Sequence, residues 1–244
     1  MLPKDWHTHP FSHGEEELKP CQNYSILHRY VQSAERAGLQ GIGFTDHEMH
    51  ISEFDFDSMY RIKERSSIDV DIGIEFDYSP GRENEISEIL NEYPLEYCIG
   101  SVHDLGGWNF DNPNYKERFS HFNYRELRQV YTYYFSLVDK AVKSDLFDII
   151  GHFDLIKIYD YHLDDREEII RLVDPILKKM ASRNIKLELN SNGLNKPAGE
   201  IYPALDIIKQ ARHRNVEMIL SSDAHRPERV GEHFQFMNKL KEII

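Results

Sequence analysis

The sequence predicts an α/β protein whose helices cover a parallel sheet, and two observations support this class. Short β-rich runs alternate with segments of helical apolar spacing, and no linker, repeat or low-complexity segment interrupts the alternation. The length of 244 residues, of which 40% are hydrophobic, is enough for one full core. We therefore expect a single domain over residues 1–244.

Seven runs have the composition expected of strands. They lie at residues 2–8, 40–45, 69–75, 97–102, 148–151, 185–190 and 217–221. Helical apolar spacing starts at Ile26 after the first run and ends at Gly38, because glycine suits the left-handed position that closes a helix. The same period returns in residues 169–180 and 201–211, and we expect both apolar faces to pack in the core.

The composition limits the partners that the protein can have. The 42 acidic and 29 basic residues give a net charge of −13, which repels nucleic acid and anionic membranes. No apolar run is long enough to span a bilayer or to form a signal-peptide core, so we expect a cytoplasmic protein. Cys21 and Cys98 lack the CxxC spacing and are expected to be ordinary thiols. The sequence leaves the oligomeric state open.

Each predicted strand ends in a side chain that could bind a metal ion or a polar ligand. In chain order these are His7 and His9, Asp46 and His47, Glu75, His103, His152, Asn190 and Asn192, and Asp223 and His225. In a barrel of parallel strands the carboxyl ends converge, so residues far apart in sequence meet in one site. A single histidine at such a place is more often structural, but the complete series favours a site.

The donors in this series predict a metal centre. Imidazoles and carboxylates crowded together are costly unless a cation lies between them. His7 and His9 point to the same face because strand side chains alternate, and His13 follows in the next loop. A donor set without thiolates suits Zn, Fe or Mn, and its size predicts two to three divalent ions, with Glu75 or Asp223 as candidates to bridge them.

The ordered series HTH, TDH, GIE, SVH, GH and SDAH resembles the PHP (polymerase and histidinol phosphatase) superfamily of metal-dependent phosphoesterases. The segments GSVHDLGGWNFDNP, GHFDLIKIY, NSNGLNKPAGEIYP and SSDAH are similar to its stand-alone histidinol-phosphatase branch. The resemblance implies an α/β fold that is a distorted (β/α)7 TIM-like barrel with a trinuclear metal centre. It also implies hydrolysis of a small phosphorylated metabolite, L-histidinol phosphate, in histidine biosynthesis.

The resemblance also assigns the ligands of each ion. It implies that His7, His9, Glu75 and Asp223 hold one ion, that Glu75, His103 and His152 hold a second, and that His13, His47 and His225 hold the third. In the same family basic residues face the substrate phosphate, and Lys157 and Lys196 occupy those places here. Asp46 is a candidate to orient His47, since ligating imidazoles usually donate their second N–H to an acceptor.

These assignments predict a hydrolytic mechanism without a covalent intermediate. A water bridging two divalent ions ionises near neutral pH and gives a hydroxide that attacks phosphorus. Glu75 is expected to act as a catalytic residue through the ions, and Asp223 or His225, or a water that they orient, is expected to protonate the leaving alkoxide.

The loop of residues 104–127 after the fourth strand is long and aromatic, which is typical of lids. Trp108 and Phe110 are candidates to bind the imidazole of the substrate. The same rings could instead pack the loop onto the fold, and the sequence supports both interpretations equally.

Three alternative functions follow from the same residues. One is a phosphatase of another small phosphomonoester or of phosphotyrosine. A second is an amidohydrolase, which we disfavour because that pattern normally has a lysine or an equivalent bridging group after the fourth strand, where this chain has His103. The third is a non-catalytic metal-binding module, which would predict a gap among the donors, and the series contains none.

Overall fold

The computed structural model describes residues 3–11 and 23–243 of the chain. The strands in this part are β1 (Asp5–Thr8), β2 (Gly41–Phe44), β3 (Asp69–Asp77), β4 (Tyr97–Ser101), β5 (Ile149–Ile150), β6 (Lys186–Asn190) and β7 (Met218–Ser221). The α-helices are α1 (Tyr24–Arg36), α2 (Phe56–Arg65), α3 (Glu83–Glu92), α4 (Glu117–Ser120), α5 (Tyr124–Lys143), α6 (Arg166–Arg183), α7 (Leu205–His213) and α8 (Phe234–Ile243).

The strands form one sheet in the order β1 to β7, so the order in the sheet is the order in the chain. The registered pairs β1 with β2, β2 with β3, β4 with β5 and β5 with β6 are all parallel. A helix follows every strand, and α4 is an extra turn before α5. This topology confirms the predicted α/β class with the strand sequence of a (β/α)7 TIM-like barrel.

The structure confirms all seven predicted strands with small changes at their ends. β3 continues two residues further than expected, to Asp77, whereas β5 keeps only Ile149–Ile150. Gly38 lies just beyond α1 with a φ of +72°, which confirms the left-handed position expected there. Residue 2, where the first run was expected to start, lies outside the described residues.

One predicted helix starts later than its apolar spacing indicates. α7 begins at Leu205, so Ile201 lies before the helix rather than on its apolar face. Pro203 explains the difference, because its ring disfavours helical backbone at the preceding residue, Tyr202. Leu205 is 41% exposed and was wrongly expected in the core, whereas Ile208 is buried there.

Four of the described α-helices, α1, α2, α5 and α6, begin at side chains that satisfy free backbone N–H groups. Asn23 caps α1, Asp55 caps α2 and Asp165 caps α6, each by accepting a backbone N–H three residues later. Asn123 and Glu126 form a reciprocal capping box at the start of α5. None of the helices in the described part of the chain combines the length and the apolar character needed to cross a membrane.

The chain divides into two compact units. The first unit contains the described residues up to Glu75 together with 94–98 and 220–243, and the second contains 76–93 and 99–219. Their buried side chains include Leu27, Ile42, Phe44 and Ile72 in the first unit, and Ile99, Leu137, Leu177 and Leu187 in the second. The single domain expected over residues 1–244 stays a prediction.

Gly43 and Gly73 in the first unit leave space for the Tyr97 side chain, which forms a hydrogen bond with the backbone of β1. A Cβ atom at Gly43 would overlap the Tyr97 hydroxyl, and one at Gly73 would lie 2.7 Å from the Tyr97 ring. The space that both glycines leave lets this hydroxyl donate to the Trp6 carbonyl over 2.7 Å. Tyr97 therefore fixes the backbone next to His7, the first of the predicted metal ligands.

Candidate metal centre

Six of the predicted metal ligands lie together in the first unit, and we refer to them as the His9 cluster. His7 lies on β1, and His9 lies just beyond the end of that strand. The loop after β2 contains His47, and β3 contains Glu75. Asp223 and His225 lie in the loop after β7. His7, His9 and Glu75 are almost fully buried, whereas the His225 side chain is 42% exposed. The cluster therefore has a buried side and an accessible side.

The donor atoms of the His9 cluster point at one another. His9 Nε2 lies 3.0 Å from His7 Nε2 and 3.2 Å from Asp223 Oδ1. Glu75 Oε2 lies 3.5 Å from His7 Nε2 and 2.9 Å from His47 Nδ1. His9 also stacks on the rings of His47 and His225, with centroids 4.5 and 4.2 Å away.

This arrangement fits a bound cation. Without a cation, His9 Nε2 can donate its proton to only one of its neighbours, His7 or Asp223. The remaining nitrogen and carboxylate lone pairs then face one another in a buried place, which is unfavourable. Two imidazole nitrogens bound to one tetrahedral ion at usual metal–nitrogen distances are about 3.3 Å apart. The 3.0 Å between His7 and His9 is close to that separation.

The electrostatics of the cluster favour the protonation states that bind metal. Burial lowers the pKa of His9 well below its usual value, and the neighbouring imidazoles of His225, His47 and His7 add to this effect. The partial desolvation of His225 among its neighbours, together with the nearby His47 imidazole, lowers its pKa as well. Burial acts to raise the pKa of Asp223, but the hydrogen bond with His9 and the surrounding imidazoles hold that pKa well below its usual value. Neutral imidazoles and an ionised carboxylate are the ligating forms.

The groups of donors differ in part from those implied by the family. His7, His9 and Glu75 form one group, as expected, but His47 and His225 are grouped with His9, all three donor atoms lying within 4.8 Å of one another. His13, which was expected to share an ion with His47 and His225, lies outside the described residues. Asp46, expected to orient His47, accepts the backbone N–H of Phe11 over 2.7 Å.

Two further predicted ligands, His103 and His152, form a pair in the second unit. Their Nε2 atoms lie 3.3 Å apart, which is close to the separation of two nitrogens bound to one tetrahedral ion. Asp77 Oδ1 lies 3.4 Å from His103 Nδ1 and accepts the backbone N–H of His103 over 3.2 Å. A proton held on Nδ1 by Asp77 leaves Nε2 available to a metal.

Hydrogen bonds to Glu188 and Asn190 hold His152 and the polar residues at the end of β6. The buried carboxylate of Glu188 accepts the backbone N–H of His152 and the side-chain amide of Asn190. Asn190 in turn accepts the backbone N–H of Asn192 over 2.9 Å. Glu188 was not predicted, because it lies inside β6 and the predicted site residues were those at or beyond the ends of the strands.

The two lysines expected to face phosphate have different surroundings. Lys157 is 2% exposed, and its ammonium lies 3.1 Å from Asp154 Oδ2, 3.0 Å from Glu200 Oε2 and 2.9 Å from the Ile201 carbonyl. These three acceptors match the three N–H donors of an ammonium. Lys196 is half-buried, and its ammonium has no ion-pair partner within residues 3–11 and 23–243.

The aromatic side chains of the loop at 104–127 pack mainly against one another. The Phe110 ring is fully buried and lies edge-on against Tyr134, with centroids 5.7 Å apart. Trp108 is 6% exposed, packs against Phe119 at 5.0 Å and lies under the Arg118 guanidinium at 4.3 Å. This geometry favours the packing interpretation, although the buried indole N–H of Trp108 has no hydrogen-bond partner among the described residues.

An α/β fold with histidine and carboxylate donors at or near the carboxyl ends of its strands is typical of metal-dependent hydrolases. Within that class, the chain belongs to the PHP domain family, which matches residues 23–192. A relative in Deinococcus radiodurans named probable histidinol-phosphatase is 36% identical over 236 residues, covering 88% of this chain and 85% of the relative. The histidinol-phosphatase of Bacillus subtilis is 26% identical, covering 95% of this chain and 96% of the relative.

Solved structures show the same fold. A structural-genomics target from Listeria monocytogenes with a histidinol-phosphatase assignment has a TM-score of 0.79 at 23% identity, covering 96% of this chain and 99% of its own. The histidinol phosphate phosphatase of Lactococcus lactis, solved with Zn, L-histidinol and phosphate, has a TM-score of 0.74 at 19% identity, covering 99% of this chain and 93% of its own.

These relatives confirm the predicted family and branch and the prediction that the chain is an enzyme of the phosphomonoester hydrolase class. The histidine and carboxylate groups support divalent metals as its cofactors. The assignment of each ligand to an ion, the number of ions and the substrate contacts of Lys157, Lys196, Trp108 and Phe110 stay predictions.

Proposed function

We propose that this chain hydrolyses L-histidinol phosphate to L-histidinol and phosphate. The observation that carries the proposal is the His9 cluster, formed by the family's own motifs in a chain 36% identical to a probable histidinol-phosphatase. The Lactococcus lactis structure supports the substrate, because it holds both products of that reaction together with Zn.

The protein's own donors suggest which residues would hold the ions. We assign His7, His9, Glu75 and Asp223 to one ion, and His47 and His225, with His13 as implied by the family, to another. His103 and His152 would bind a further ion, and the participation of Glu75 there stays a prediction from the resemblance. Divalent ions in such sites activate water and stabilise charge on phosphoryl oxygens.

The proposed substrate is an anion, and the protein that has to bind it is acidic. A net charge of −13 opposes the approach of a phosphomonoester, so positive groups near the site have to offset it. We propose Lys196 for direct phosphate contact because no carboxylate within the described residues pairs with its ammonium. Lys157 would act differently, since Asp154 and Glu200 already neutralise it.

The direct test is an activity panel on purified protein loaded with Mn, Zn or Fe. The panel contains L-histidinol phosphate, phosphotyrosine and an aryl phosphate, with metal content measured on the same samples. We expect the highest kcat/KM for L-histidinol phosphate and two to three ions per chain. A variant with both His7→Asn and His9→Asn controls for contaminating phosphatases. Preference for another ester would refute the substrate, and at most one ion after loading would refute the multinuclear centre.

Replacing Trp108 distinguishes packing from recognition in the loop. Trp108→Leu should lower the free energy of unfolding by about 2 kcal/mol, because the smaller side chain leaves a gap against Phe119. It should change kcat/KM for L-histidinol phosphate and for the aryl phosphate in parallel. Denaturant unfolding and both activities are measured, with Tyr115→Leu, at a 54% exposed position, as the control. A selective rise in KM for L-histidinol phosphate at unchanged stability would instead favour recognition.

A further inference from the structure

Asp5 is a buried carboxylate at the start of β1 that the proposed function does not use. It is 0% exposed and accepts four hydrogen bonds in the first unit. Its Oδ1 accepts the backbone N–H groups of Ser222 at 2.9 Å and of His7 at 3.4 Å. Its Oδ2 accepts the Ser222 hydroxyl at 2.5 Å and the backbone N–H of Gly231 at 2.9 Å. One carboxylate therefore ties the start of β1 to the segment that follows β7.

The residue after Ser222 has a strained backbone. Asp223 has a φ of +51°, in the left-handed region of backbone conformation that residues other than glycine rarely adopt. Such a conformation persists only where the surrounding structure holds it. Ser222 is held on one side by Asp5, and on the other side the carbonyl of Ala224 accepts the backbone N–H of His9 over 2.9 Å.

We infer that Asp5 is a positioning residue for the metal centre: it holds Ser222 so that the left-handed Asp223 presents its carboxylate 3.2 Å from His9 Nε2. This inference rests on the proposed function, because it takes Asp223 and His9 as ligands. Without the acceptors on Asp5, the N–H groups of Ser222 and Gly231 lose their partners and the segment relaxes away from the strained conformation.

Asp5→Asn tests this role with little change in shape. The amide keeps one acceptor oxygen, but its nitrogen cannot accept from Gly231 or from the Ser222 hydroxyl. We expect the affinity for Co²⁺, measured by chelator competition, to fall about 10- to 100-fold, as for other residues that orient metal ligands. The visible absorption of bound Co²⁺ should also change, because it reports the donor geometry.

Two further variants separate positioning from general stability. Ser222→Ala removes only the 2.5 Å bond, so its loss of Co²⁺ affinity should be smaller and should not add fully to that of Asp5→Asn. Glu96→Gln is the matched control in the same unit, since Glu96 accepts the backbone N–H of Ile72 over 2.9 Å and pairs with Lys63. It should change unfolding in chelator without changing Co²⁺ affinity.

The outcomes distinguish this inference from the proposed function. Wild-type affinity and an unchanged Co²⁺ spectrum in both Asp5→Asn and Ser222→Ala would overturn the role of Asp5 alone. Failure of the wild type to bind Co²⁺ tightly would overturn the metal centre and this inference with it. If Asp5→Asn does not fold, Ser222→Ala still decides, because it keeps the carboxylate and alters one bond.

Discussion

Glu75→Gln should reduce kcat for L-histidinol phosphate by more than about 10²-fold, since even the loss of a residue that only orients a ligand costs 10- to 100-fold. The carboxylate lies 2.9 Å from His47 Nδ1 and 3.5 Å from His7 Nε2, in a buried place where its charge would offset that of a cation. The amide has nearly the same shape but carries no charge. The loss should therefore reflect weaker metal binding rather than a change of fold.

Thermal unfolding with and without metal separates those two explanations. Metal that binds only the folded state raises the Tm, and this increase should be much smaller in Glu75→Gln. In the presence of chelator the Tm of the variant should not fall, because a buried carboxylate has been replaced by a neutral group. Glu53→Gln, at a 60% exposed side chain in the same unit, is the control. If Glu75→Gln binds metal and retains most of its activity, the assignment of Glu75 as a metal ligand is wrong.

Lys157→Met should lower the free energy of unfolding by about 3–5 kcal/mol, the usual result of removing one partner of a buried ion pair. Burial raises the pKa of Asp154 even in the presence of the Lys157 charge, so the carboxylate left behind is costly when ionised. Lys196→Met has no described ion pair to break and should change stability by less than about 0.5 kcal/mol. It should instead raise KM for the phosphomonoester.

A second substitution tests why Lys157→Met is expected to lose stability. Asp154→Asn in the Lys157→Met background should recover part of the stability, because it removes the uncompensated charge. Denaturant unfolding gives the stabilities, and inhibition by inorganic phosphate reports the anion site. A stable Lys157→Met with strongly weakened phosphate inhibition would show that Lys157 contacts phosphate directly, as the family resemblance implies.

Much of the candidate site could be predicted because it depends on local periodicity. Strands alternate with a period of two, so His7 and His9 were expected on one face, and the ends of strands marked Glu75 and Asp223. The same period also places Asp5 with His7, and Asp77 with Glu75. These two supporting carboxylates could therefore have been found from the sequence.

Other features depend on contacts between distant segments, which no local pattern contains. The resemblance implies the same role for Lys157 and Lys196, and only the folded chain shows that Glu200, 43 residues further on, pairs with Lys157. The packing of Trp108 and Phe110 likewise depends on Phe119 and Tyr134. The late start of α7 was predictable in principle, because Pro203 is present in the sequence.

The His9 cluster also determines the order in which the protein can mature during synthesis. Its donors come from two distant parts of the chain, residues 7–75 and 223–225, and β1 is bridged to Ala224 at Thr8. A nascent chain can present His7, His9 and Glu75 early, but Asp223 and His225 leave the ribosome only after residues 99–219 of the second unit. Loop closure over such a distance is slow compared with local helix formation. If the six residues bind metal as proposed, complete metal binding has to wait until Asp223 and His225 have been synthesised, and a chain terminated before them would lack two of the six donors.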